Sequence, residues 1–166
     1  MMETGSPSAK QLVVAVVIAG LVGEVIFELY AMLLSPALFG AALQPANLVR
    51  AIYGMLTGGA LSYQAAFVVH FLIGSLGFGV FVLLVRQLMP ERVVATGILA
   101  GLVLWFVAQG ILAPVIGRPF MMEFGAYTQS SFIGHVGMTL IMSCVLAWLL
   151  SPTRGVRAMA SSPGPV

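Results

Sequence analysis

The chain has 166 residues, of which 60% are hydrophobic and 7% are charged, and its mean hydropathy is +1.09. Soluble domains are about 45–50% apolar and about 25% charged, so the composition excludes a water-soluble fold of this size. The formal net charge of +2 comes from scattered cations, which excludes a clustered nucleic-acid-binding surface and leaves membrane lipid as the expected partner.

Four apolar segments are long enough to cross a hydrocarbon layer of about 30 Å, which requires about 20 helical residues. They lie at about residues 12–34, 61–85, 93–115 and 128–150. The sequence therefore predicts an all-α, integral membrane four-helix bundle over residues 10–150. Between the first two spans, Gln44 to Met55 is predicted to form a short interfacial helix. Residues 1–9 and 151–166 have little to bury, and we expect a mobile N-terminus and a disordered C-terminal tail.

The distribution of cations predicts the orientation of the four spans, because loops with Lys and Arg tend to stay in the cytoplasm. Five cations fall on the side of the two termini and two on the other side; they are Lys10, Arg86, Arg92, Arg154 and Arg157, against Arg50 and Arg118. We therefore expect a multi-pass protein of the cell (inner) membrane with both termini cytoplasmic.

Two acidic residues lie within the first span, where charge is costly and usually functional. Glu24 and Glu28 are four residues apart and so share one helix face. At about +2.5 to +3.5 kcal/mol per acid, they nearly offset the apolar side chains of this span, which is therefore only marginally inserted alone. Desolvation and the like charge predict that at least one is protonated at neutral pH. Three roles are open: metal ligand, proton carrier, or hydrogen-bond donor between packed helices.

The second and fourth spans share a pattern that suggests an internal repeat. Gln64, Phe67 and His70 recur at the same spacing as Gln129, Phe132 and His135, and the first and third spans each precede a proline, Pro36 and Pro114. The sequence therefore predicts two tandem helical hairpins related by a pseudo-twofold axis. The two histidines would then lie at similar depth, as a candidate axial pair for haem b or as metal ligands with Glu24 and Glu28.

Glutamines complete a predicted polar cluster in the outer half of the bundle. Gln64, Gln109 and Gln129 fall at depths near those of the acids and imidazoles, provided that their side chains face inward. The alternative is an interhelical hydrogen-bond network worth about 0.6 kcal/mol per contact.

The pattern of His70, of Trp105, Gln109, Pro114 and Gly117 around the third span, and of Gly134-His135 resembles that of small four-span bacterial and archaeal membrane proteins of unknown function, such as YagU-type proteins. The resemblance implies a four-span fold in the cytoplasmic membrane and no catalytic residues.

Two functional hypotheses follow from the cluster. The first is a non-enzymatic binding or accessory subunit, whose Glu/His/Gln cluster holds a haem, a transition metal or a quinone, and which forms a homo-oligomer or joins a larger membrane complex. The alternative is a small transporter or proton conduit that uses Glu24 and Glu28. The sequence contains no nucleophile-base pair, phosphate-binding glycine loop or zinc-protease motif, which argues against a common hydrolase or nucleotide enzyme.

Overall fold

The fold is that of a computed structural model, which describes residues 7–151. The described residues contain no strand, and the predicted all-α class is confirmed. A short turn, Phe120–Phe124, precedes the last helix. In chain order the helices are α1 (Ala9–Phe39), α2 (Ala46–Thr57), α3 (Tyr63–Leu88), α4 (Val93–Val115) and α5 (Ala126–Leu149).

Four of these helices, α1, α3, α4 and α5, are long and apolar enough to cross a membrane. Their outward surface is apolar: Val13 is 63% exposed and Leu33 is 65% exposed. Polar side chains are found inside, since Glu24, Thr139 and Ser143 are completely buried. An apolar exterior around a polar interior suits lipid, which cannot form hydrogen bonds with exposed polar groups.

Helix ends follow local sequence signals. Ser8 and Gln11 form a capping box before α1, in which Gln11 N donates to Ser8 Oγ at 3.3 Å and Ser8 N donates to Gln11 Oε1 at 2.8 Å. Ser62 caps α3 by accepting from Ala65 N at 3.2 Å. These caps place the start of α1 earlier than predicted and the start of α3 slightly later. The helix predicted between the first two spans is present as α2, and its position at the membrane interface stays a prediction.

Three of the spanning helices contain a widened π turn: Tyr30–Leu34 in α1, Ile73–Phe78 in α3 and Val107–Leu112 in α4. In α1 and α4 the π turn comes just before a proline, Pro36 or Pro114, and the helix resumes with that proline in its first turn. The first span therefore continues to Phe39 instead of ending near residue 34. Such turns are often found at functional sites.

Small residues bring the spanning helices into close contact. A Cβ atom on Gly20 of α1 would lie 1.7 Å from the Ser75 carbonyl oxygen of α3. On the other side of the bundle, Thr139 Oγ1 of α5 donates to the Gly97 carbonyl of α4 at 2.7 Å. Helix α1 thus packs against α3 and α5, and α5 packs against α4. Close backbone approach of this kind is how lipid-embedded helices gain packing energy.

Some expectations remain predictions. The N-terminal and C-terminal segments predicted to be mobile, together with Arg154 and Arg157, lie wholly or largely in residues 1–6 and 152–166, outside the described residues. The hairpin duplication and the orientation in the membrane also remain predictions.

Candidate metal centre and adjoining cavity

Two acidic side chains of α1 meet one imidazole of α3 inside the bundle. Glu24 and Glu28 lie one turn apart on the buried face of α1, and Glu24 has no exposed surface. His70 Nε2 of α3 is 3.3 Å from Glu24 Oε1 and 3.6 Å from Glu28 Oε1. We call Glu24, Glu28 and His70 the Glu-His triad; each offers one ligand atom, and these atoms all lie within 4.8 Å of one another.

The facing atoms of the triad lack hydrogen-bond partners. Within residues 7–151, both oxygens of Glu24, Oε1 of Glu28 and Nε2 of His70 are buried and accept or donate no hydrogen bond of normal geometry. Buried polar atoms without partners are rare and costly, and several that face one another require a shared cation or proton.

Space for the carboxylate of Glu24 is provided by a glycine in the π turn of α3. A Cβ atom on Gly74 would lie 2.1 Å from Glu24 Oε2 and 2.3 Å from its Cδ. Only glycine fits at this position without moving the carboxylate. The π turn therefore allows α3 to present the His70 ring and an open backbone surface to the same acid.

The two imidazoles share one aromatic neighbour. Phe27 of α1 packs against both histidines, with ring centroids 6.1 Å from His70 and 5.7 Å from His135. A haem axial pair requires both imidazoles to bind one iron. Phe27 packs beside both rings, and the possible ligand atoms that lie together in the described residues belong to Glu24, Glu28 and His70, without His135. This arrangement favours a small ligand at the triad over the predicted bis-histidine haem.

His135 is held by its own helix. Its Nδ1 lies 2.7 Å from the Ser131 carbonyl oxygen, one turn earlier in α5, and Gln109 Nε2 of α4 donates to Ser131 Oγ at 3.2 Å. A carbonyl oxygen only accepts, so Nδ1 carries the hydrogen and Nε2 of the neutral ring is left as an acceptor.

An apolar cavity of about 170 Å³ adjoins the triad. It lies at the distal end of the bundle, which we define as the end opposite the termini, because α2 and the start of α5 contribute to its wall. Its volume is below the roughly 300–1,000 Å³ of usual cofactor pockets, which again disfavours a porphyrin. Its polar lining residues are His70, Gln109, Tyr127, Ser131 and His135.

Gln64 and Gln129 do not join the cluster. Both are exposed and lie in the first turns of α3 and α5, and Gln129 Nε2 donates to the Phe124 carbonyl at 3.1 Å. Both side chains are on the exposed surface, so the inward orientation expected from depth alone is wrong for these two residues. Gln109, in contrast, is buried as predicted.

Sequence reasoning missed Ser131 and Phe27. Ser131 lies four residues before His135 on the same helix face, a spacing that predicts local contact. Nothing in the sequence marks Phe27 as the residue that contacts both imidazoles, since its side chain is one of many apolar groups in α1.

No known protein family, curated protein or solved structure matches this chain.

Proposed function

We propose that the protein is a membrane-embedded, non-enzymatic binding protein that holds a divalent transition-metal ion at the Glu-His triad. One observation carries the proposal: four polar atoms of the triad are buried without a hydrogen-bond partner within the described chain, and its three residues each offer a ligand atom within 4.8 Å of the others. Carboxylate oxygen and imidazole nitrogen together suit zinc, ferrous iron or manganese.

The spacing of the ligand atoms supports the proposal. Zinc binds imidazole nitrogen and carboxylate oxygen at about 2.0–2.2 Å, so two ligands at tetrahedral angles lie about 3.3–3.6 Å apart. The separations from His70 Nε2 to the two glutamate oxygens are 3.3 Å and 3.6 Å. Three protein ligands leave a fourth position open for water or another ligand.

The charge of the site also supports a cation. Two carboxylates and one neutral imidazole neutralise a divalent ion, and a neutral unit is much less costly in lipid than separate charges. Among residues 7–151, the only ion-pairing partner within 4.0 Å of either acid is His70. A metal ion would therefore supply the missing positive charge.

Zinc titration of the purified protein tests the proposal. We expect about one ion per chain, and at least tenfold weaker binding in Glu24→Gln, Glu28→Gln and His70→Gln, because each removes a ligand. The matched controls are Glu91→Gln and Glu123→Gln, which alter exposed acids outside the triad and should bind as the wild type does.

Stability provides a second readout of the same site. Zinc at 100 times the wild-type Kd should stabilise the folded wild type by about 2.7 kcal/mol, and at the same concentration it should stabilise the triad variants by about 1.4 kcal/mol or less. Folded wild-type protein that binds no zinc, ferrous iron or manganese would rule out the metal proposal.

Proton movement is the second candidate function, favoured by the short contacts of the triad. The distances of 3.3 Å and 3.6 Å from one imidazole nitrogen to two carboxylates are slightly longer than the roughly 2.6–3.2 Å of direct proton transfer, so a small closure or one bridging water would connect these groups. In liposomes, proton flux that stops in Glu28→Gln and continues in Glu123→Gln would support a conduit. Metal-loaded protein without flux would support the binding role.

The duplication proposal has structural support in two corresponding pairs. Under the repeat, Glu28 corresponds to Gln109 and His70 to His135. Glu28 lies 3.6 Å from His70, while Gln109 reaches His135 through Ser131. The first helix of each predicted hairpin, α1 or α4, also carries a π turn before a proline. The second hairpin would then be a copy in which an amide replaces an acid.

The cation distribution and the outward surface bear on the location and the assembly of the protein. We propose a location in the cell (inner) membrane with cytoplasmic termini, and a homo-oligomer or a larger complex as the assembled state. Support comes from the cation distribution and from the apolar outward surface, with Leu88 and Leu56 among its most exposed side chains. The YagU-type resemblance remains a prediction.

A further inference from the structure

The cavity beside the triad presents two hydrogen-bond acceptors without partners, in a mostly apolar wall that also contains His70, Tyr127 and Ser131. Gln109 is buried, and its amide nitrogen donates a hydrogen bond to Ser131 Oγ. Its Oε1 has no partner within the described residues. His135 Nδ1 donates to the carbonyl oxygen of Ser131 on the same helix. Nε2, on the opposite side of the ring, therefore remains an acceptor. Both residues line the cavity.

Two buried acceptors select a ligand that carries donors. A ligand with carbonyl groups alone brings no donor for Gln109 Oε1 or His135 Nε2 and leaves both acceptors unpaired. A hydroxylated ligand pairs both acceptors. These two atoms therefore favour the reduced, hydroxylated form of a ring compound over its oxidised form.

The size and lining of the cavity restrict the ligand further. The cavity, at about 170 Å³, is larger than the roughly 30 Å³ that one water molecule occupies in the liquid. It is smaller than a pocket that holds a porphyrin. Phe27, Phe78 and Leu104 offer flat and aliphatic surfaces suited to one substituted ring. The apolar surroundings require that the ligand be soluble in lipid.

We propose that this cavity binds the head group of a membrane hydroquinone, with His135 Nε2 and Gln109 Oε1 accepting hydrogen bonds from its hydroxyl groups. The proposal concerns binding alone and involves no electron transfer. Its two hydrogen-bonding residues, Gln109 and His135, lie outside the triad, and His70 is the one residue that belongs to both the triad and the cavity lining.

The test is equilibrium binding of a decyl-substituted benzohydroquinone and of the corresponding benzoquinone to the purified full-length protein under argon. We expect the hydroquinone to bind at least tenfold more tightly. Gln109→Met keeps the side-chain volume and removes the acceptor, so it should lower hydroquinone affinity at least fivefold. Gln129→Met removes an exposed amide of α5 and should have no effect.

Three results would overturn the proposal: equal or tighter binding of the quinone, binding of neither probe, or a Gln109→Met variant that retains the preference. His135→Gln, which keeps an acceptor, provides a second folded variant and should retain part of the preference. Each measurement is made on metal-free and zinc-loaded protein. A chain that binds no zinc but still prefers the hydroquinone would separate this inference from the metal proposal.

Discussion

Glu24 has the most constrained surroundings of the acidic residues in the described chain. Its carboxylate is completely buried, faces His70 at 3.3 Å and rests on the backbone of Gly74. The absence of a side chain at position 74 is therefore as much a part of the site as the ligand atoms are.

Replacement of Gly74 tests this dependence. In Gly74→Ala the added Cβ would lie 2.1 Å from Glu24 Oε2, so we expect about 1–3 kcal/mol of destabilisation and at least tenfold weaker zinc binding. Gly137→Ala is the matched control, because nothing lies within 4 Å of its Cβ position. The control should be neutral or gain up to about 1 kcal/mol from helix propensity. Equal behaviour of the two variants in denaturation and zinc titration would contradict the packing of Glu24 on Gly74.

The sequence predicts the depth of a side chain in the membrane better than it predicts the direction in which that side chain points from its helix. The four-residue spacing of Glu24 and Glu28 fixes a common face, and this part of the site could be predicted. Gln64 and Gln129 lie near the expected depth yet face outward at the first turns of their helices. Rotation about the helix axis is set by packing against neighbouring helices, which a single sequence does not report.

At the scale of secondary structure, α4 and α5 are joined by backbone contact more than by interdigitating side chains. A Cβ on Gly97 would lie 2.5 Å from the Leu140 Cα, and the hydroxyl of Thr139 donates to the Gly97 carbonyl. The packing contact and the hydrogen bond therefore depend on the same short interhelical distance.

Two substitutions separate these contributions. Thr139→Val removes the hydrogen bond and should cost about 0.6 kcal/mol, the usual value between membrane helices. Gly97→Ala pushes the helices apart and should cost about 1–3 kcal/mol. The control is Gly77→Ala in α3, whose added Cβ would meet only Ile73, at 3.8 Å. Unfolding in mixed detergent micelles measures all three, and a Gly97→Ala variant as stable as the control would refute the close approach.

Helix limits could be predicted from hydropathy, but the π turns could not. Span α4 ends at Val115 as expected, whereas α1 continues through Pro36 to Phe39 because the widened turn at Tyr30–Leu34 accommodates the proline. The π turn of α3, at Ile73–Phe78, has no proline beside it, so no local residue signal marks its position.

For the molecule as a whole, composition alone predicted the architecture, because 60% hydrophobic residues with 7% charge leave lipid as the only suitable surroundings. The structure agrees, with apolar side chains outside and Glu24, Thr139 and Ser143 inside. Orientation depends on weaker evidence, namely the distribution of a few cations, and can be tested directly.

Cysteine labelling of intact cells tests the orientation. In a Cys144→Ala background, a membrane-impermeant maleimide should label Ala60→Cys, in the exposed connection between α2 and α3, and should not label Gln87→Cys, at the exposed end of α3 near the termini. Labelling of both positions after the cells are opened is the control for reactivity. The reverse pattern in intact cells would invert the assignment.

The enclosure of Glu24 by α3 has a consequence for how the protein is made. When the ribosome has released only the first apolar segment, neither His70 nor the open surface at Gly74 has yet been synthesised. The two acids then face the translocon or lipid without a partner. Stable integration of α1 should therefore wait for α3, so that the first two spans leave the translocon as a pair.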